Sequence, residues 1–126
     1  MQIESYRDLI VWKDGIALTL SVYKLTAHFP DSERFGLVSQ MRRCAVSVPS
    51  NIAEGHARFS TREYIRHLSI ALGSLAELET QLHLASELEY VRVEIVHDVF
   101  AHTDKLGKQL RCLAKSLRQR LNRSTP

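Results

Sequence analysis

From Tyr64 to Ala85 the apolar side chains fall at intervals of +4, +3, +4, +3, +4 and +3: Tyr64, Leu68, Ala71, Leu75, Leu78, Leu82 and Ala85. A mean spacing of 3.5 places all of them on one stripe of an α-helix and scatters them over both faces of a strand. Three unbroken heptads of this kind require a partner surface of similar length, as in the packing of a helix bundle. Val96, Val99, Thr103, Leu106, Leu110, Leu113 and Leu117 repeat the pattern, and Val38, Met41, Ala45, Val48 and Ile52 give a shorter version of it. No β-branched alternation lies between turn residues, so no strand is expected.

The predicted fold is therefore all-α, with helices over about residues 8–29, 32–54, 60–88 and 92–122. Short connections make it an antiparallel, up-down four-helix bundle. A chain of 126 residues, 44% hydrophobic, supports one domain over residues 1–126 without disulfide or metal staples. Asp8 is read as the cap of the first helix and Pro30 as its end. Ser60 and Glu63 read as a capping box, and Gly55 as a left-handed stop for the second helix. Pro49, inside that helix, removes a backbone donor, which predicts a kink near residues 45–49.

The first helix carries two apolar lines, Leu9–Trp12–Ile16–Leu20–Tyr23 and Val11–Leu18–Val22–Leu25–Phe29. One core stripe needs only one of them. The surplus, and the thinness of so long a bundle, predict self-association. Gly73 and Ser74 leave a shallow place on the third helix where another helix could come close.

Charge is unevenly placed. The net charge is +3, but the last 22 residues carry +7 with no acid, which leaves −4 for residues 1–104. At 100° per residue, Lys108, Arg111, Lys115 and Arg118 fall opposite the fourth helix's leucine stripe. Such a basic face suits phosphates, and it equally suits a solvated helix C-terminus.

Enzymatic signatures are missing. The sequence has no phosphate-binding Gly-rich loop, no H-E-x-x-H and no nucleophile elbow. Glu94-Ile95-Val96-His97 is the single Glu-x-x-His, where a di-iron bundle needs two. The six histidines are scattered and read as surface residues. Cys44 and Cys112 lack C-x-x-C spacing and read as reduced core residues. No metal, cofactor or catalytic residue is expected. The first residues lack a signal-peptide pattern and no apolar run reaches about 18 residues, so a cytoplasmic protein without membrane contact is expected.

The densest polar cluster is Arg42-Arg43-Cys44-Ala45-Val46-Ser47-Val48-Pro49-Ser50-Asn51-Ile52-Ala53-Glu54-Gly55. Small polar side chains can satisfy groups that a proline frees, so Pro49, Ser50, Asn51, Glu54 and Gly55 read as a structural motif. Arg42 and Arg43 are secondary candidates for a binding surface. This stretch resembles the signature of the bacterial four helix bundle protein family, also called 23S rRNA intervening-sequence proteins. Asp8-Leu9-Ile10-Val11-Trp12, Glu33-Arg34-Phe35-Gly36-Leu37 and Ile70 to Leu82, which contains Gly73, resemble its other motifs. Glu89-Tyr90 departs from the family's Gly-Tyr, which bears on a left-handed turn there. The resemblance implies a ring-like homopentamer, similarity to the accessory variability determinant of diversity-generating retroelements, and no established enzymatic activity. The expected function is a non-enzymatic, RNA- or DNA-associated accessory module acting through the basic helix face. The alternative is a scaffold for a protein partner with no nucleic-acid role.

Overall fold

The structure, a computed structural model, describes residues 2–123. Among these residues there are four α-helices and no strand: α1 (Ile10–Thr26), α2 (Leu37–Ala57), α3 (Thr61–Glu87) and α4 (Val93–Arg123). Two 3-10 turns, Tyr6–Asp8 and Asp31–Glu33, precede α1 and α2. Each helix packs on its sequence neighbours and α4 closes back on α1. The α2–α3 contact is the most extensive and the α1–α4 contact the slightest.

The core lies where the apolar spacing puts it. Leu18, Met41, Ile52, Leu68, Leu78, Leu82, Leu106 and Leu110 have no exposed surface. On α1, which ends at Thr26 and not at Pro30, the line Val11, Leu18, Val22 and Leu25 is buried, as is Phe29 just beyond the helix. Ile16, Leu20 and Tyr23 of the other line face outward, and Trp12 and Leu9 are half-buried.

The helix ends depart from the sequence reading in several places. Asp8 does not cap α1. It closes a capping box with Ser5 on the preceding 3-10 turn, its carboxylate accepting from the backbone N–H groups of Glu4 and Ser5. Those two bonds hold its carboxyl below the usual carboxylate range. Ser60 caps α3 by accepting from the Glu63 N–H, but the Glu63 carboxylate turns to Arg66 Nε, 2.9 Å away, so the box is half made. That guanidinium lowers the Glu63 pKa. At the start of α2 the Glu33 carboxylate accepts from the Leu37 N–H.

Gly55 is not a left-handed stop. α2 runs two residues past it, and no glycine has positive φ. What requires glycine at 55 is proximity: an added Cβ would lie 2.7 Å from His67 Cβ and 3.1 Å from Tyr64 Cδ1. The left-handed residue is Glu89, φ 62°. It sits in a Schellman motif, where Tyr90 N–H donates to the Ala85 carbonyl and Glu89 N–H to that of Ser86. Tyr90 then packs its ring at a tilt against Phe29, centroids 5.3 Å apart, and donates its hydroxyl to Glu33 at 2.9 Å. The α3–α4 turn is thus pinned to the α1–α2 link.

Candidate nucleic-acid interface

The basic residues of α4 project away from a buried stripe formed by Val96, Val99, Thr103, Leu106, Leu110, Ala114 and Leu117. Leu113 of the predicted stripe is only half-buried, while Gly107 and Ala114 join it. Lys108, Arg111, Lys115 and Arg118 are all exposed. They are not equivalent. Lys108 Nζ lies 3.0 Å from the Asp104 carboxylate one turn earlier. Arg111 folds back over Gly107 and borders a small cavity of about 70 Å³ between α3 and α4, with Glu79 and Asp104 in its wall. Of these two, only Lys108 is ion-paired among the described residues. Lys115 and Arg118 make no ion pair among the described residues, and they form the part of the stripe with charge to spare.

Arg42 and Arg43 are adjacent in sequence and differ in role. Arg42 is half-buried and ties α2 to the end of α1. Its Nε donates to Thr26 Oγ1 at 2.9 Å, its Nη2 to the Tyr23 carbonyl at 3.2 Å, and its guanidinium lies 4.5 Å from the Tyr23 ring centroid. A cation bonded to a last-turn carbonyl also suits the negative end of the α1 dipole. Arg43 is exposed and has no carboxylate partner among the described residues.

The Pro49 cluster is explained by packing. Pro49 lacks an N–H, so the Ala45 carbonyl loses its helical donor. That carbonyl accepts from Thr19 Oγ1 of α1 at 3.0 Å, a proton Thr19 shares with the Gly15 carbonyl at 2.8 Å. The backbone of α1 comes close here because residue 15 is glycine, whose added Cβ would stand 3.2 Å from Pro49 Cβ. No periodicity or motif pointed to Thr19; a hydroxyl at i+4 from a glycine is the only trace it leaves in the sequence.

Asn51 and Glu54 serve the opposite seam, against α3. Asn51 Nδ2 donates to the Ser47 carbonyl at 2.8 Å, and Ser47 and Ser74 hydroxyls meet at 2.9 Å. Asn51 Oδ1 lies 3.0 Å, and Glu54 Oε2 3.3 Å, from Nδ1 of His67, while Arg66 Nη2 lies 3.3 Å from its Nε2. A proton on Nδ1 satisfies all three contacts at once. His67 is therefore a buried connector and not a surface histidine. Ser50 is exposed and makes no side-chain hydrogen bond among the described residues, so it has no part in holding the proline. Gly73 is exposed with nothing within 4 Å of an added Cβ, and Ser74 alone of that pair touches α2.

Among the described residues no group of three His, Cys, Asp or Glu side chains is placed to hold a metal ion. Glu94 and His97 are exposed on α4. Cys44 is buried, which pushes its thiol up to about 11, assisted by the Glu77 carboxylate. Cys112 is exposed, contrary to the core role read for it. Among the described residues no helix is long and apolar enough to cross a membrane.

The family model described as 23S rRNA-intervening sequence protein matches residues 7–112. No curated protein matches the chain. A crystal structure from Bacteroides thetaiotaomicron, described as a protein of unknown function from the S23 ribosomal protein family, is similar with a TM-score of 0.78 and 23% identity. The match covers 84% of this chain and 96% of that one.

Proposed function

The chain belongs to the 23S rRNA-intervening sequence protein family, and from that premise we propose that it is a non-enzymatic, RNA-associated module that works as a self-assembled bundle. The observation that carries the reading is the outward face of α4. Lys115 and Arg118 are exposed there without an acidic partner among the described residues, and Lys108 and Arg111 extend the same stripe. Binding of this kind runs through phosphates, with weak sequence preference and strong salt dependence. Assembly would use the outward line of α1. Leu20 is 58% exposed and Ile16 37%, with Trp12 beside them, an apolar strip the bundle itself leaves uncovered. Copies joined along it would present several basic stripes to one RNA.

The test is RNA binding by nuclease-treated protein at two salt concentrations, with mass measured by light scattering in the same buffer. The expected result is affinity that falls steeply with salt, from a particle several times the 14.4 kDa chain. Lys115→Glu with Arg118→Glu should weaken binding at least about tenfold and flatten the salt slope by about two. Unchanged affinity in that variant overturns the assignment of the face. A mass of one chain overturns the assembly.

The same apolar strip favours a second reading, a scaffold for a protein partner. That reading holds if no RNA binds at low salt and a defined protein is retained after nuclease treatment.

A further inference from the structure

At the far end of α1, away from the Pro49 junction, a groove of about 500 Å³ opens between α1, α2 and the link that joins them. Its wall holds two aromatic rings, Tyr23 and Phe35, and three arginines, Arg34, Arg42 and Arg43, and no acid. Phe35 is 89% exposed. A phenyl ring left so open gains nothing from burial inside the chain. Arg34 lies over it, 5.4 Å from ring centroid to Cζ, as Arg42 lies over Tyr23. The guanidiniums of Arg34 and Arg43 make no hydrogen bond among the described residues, so their N–H groups can meet a phosphate. None of the three arginines forms an ion pair among the described residues. Arg42 is held in place by Thr26 and the Tyr23 carbonyl, so the floor of the groove is built before any ligand arrives.

We infer that this groove is a stacking site for an unpaired nucleotide of single-stranded RNA, with the base on Phe35 and the flanking phosphates on Arg34 and Arg43. The inference rests on the RNA-associated reading and adds to it what α4 lacks. The α4 stripe presents charge alone and cannot distinguish a duplex from a single strand by contact with bases. An exposed ring bordered by guanidiniums accepts a base only after that base has left its own stack. The volume lies within the range of small-ligand sites, and the charge is complementary to a polyanion. α4 would hold the backbone, and the groove would select strands with accessible bases.

The experiment measures fluorescence anisotropy of a labelled oligouridylate and of a blunt RNA duplex, each about twelve nucleotides long, against the full chain. Phe35→Ala should weaken single-strand binding about tenfold, the loss of one base stack, and leave the duplex within about twofold. Phe35→Tyr should restore it, and Arg43→Gln should reduce the salt slope for the single strand by about one. Lys115→Glu with Arg118→Glu should weaken both ligands. Photocrosslinking of a 4-thiouridine oligomer should label the segment that contains Phe35. If the parent protein binds both RNAs and Phe35→Ala binds them equally well, or the crosslink falls elsewhere, the groove is not the site and the α4 reading stands. If Phe35→Ala changes the mass of the particle, Phe35 belongs to a contact between copies and the inference is wrong. Should the parent protein bind neither RNA, the RNA-associated reading fails along with it.

Discussion

The α2–α3 seam and the outward face of α4 both carry polar side chains at helical spacing, and they dispose of them in opposite ways. At the seam Ser47 pairs with Ser74, and Asn51 and Glu54 with His67, across the helix pair, while Gln81 Oε1 is buried there without a partner among the described residues. On α4, among the described residues, Asp104 pairs with Lys108, and Arg111, Lys115 and Arg118 form no ion pair. A buried or half-buried polar residue must be matched or it destabilises the fold. An exposed cation has water and needs no match, so its placement is free to answer to a ligand. The difference separates residues retained for the fold from residues available for function, although both look alike as letters.

The comparison can be broken most strongly at two glycines. Gly55→Ala should cost about 2 kcal/mol, because the new Cβ meets His67 Cβ, an atom that cannot swing aside. Gly73→Ala, on the open face of the next helix, should instead gain about 1 kcal/mol of helix propensity. Urea unfolding of the two variants measures both signs. A loss at Gly73 would mean that another copy approaches α3 there, and the face would cease to count as free.

Thr19→Val tests the other junction of α2. Losing the hydroxyl strands the Ala45 carbonyl, at a cost of about 1–2 kcal/mol. In a Pro49→Ala background residue 49 regains its N–H, so the same Thr19→Val change should then cost less than about 0.5 kcal/mol. Equal costs in both backgrounds would show that Thr19 does not serve the carbonyl that the proline frees.

The smallest expected effect is at the α3–α4 turn. Glu89→Gly should raise stability by about 0.5–1 kcal/mol: relief of the left-handed strain exceeds the added freedom of the unfolded chain. A fall in the unfolding midpoint would mean that the Glu89 side chain stabilises the turn in another way.

Much of the fold was legible because helical periodicity is a local property. Leu68 to Ala85, Val38 to Ile52 and the inner line of α1 identified themselves by spacing, and all are buried. The candidate site was half legible. Lys115 and Arg118 could be placed on the outer face by angle alone. Arg42 could not be told from Arg43, since the difference lies in Thr26 and the end of α1, 16 and more residues away. In the sequence Phe35 is only one letter of the Glu33–Leu37 motif, and its exposure beside three arginines exists only once the link folds over α2.

Sequence by itself determined four helices, their inward stripes and the excess of cations at the end of the chain, because each follows from residue type and a fixed 100° step. Tertiary structure alone decided which polar groups are consumed. The donor for the Ala45 carbonyl comes from 26 residues earlier, the partner of Asn51 from 16 residues later, and the turn at Glu89 is held by Tyr90 reaching back to Phe29 and Glu33. A hydrogen bond is a matter of a few tenths of an ångström and of angle, and no one-dimensional pattern carries that information between helices.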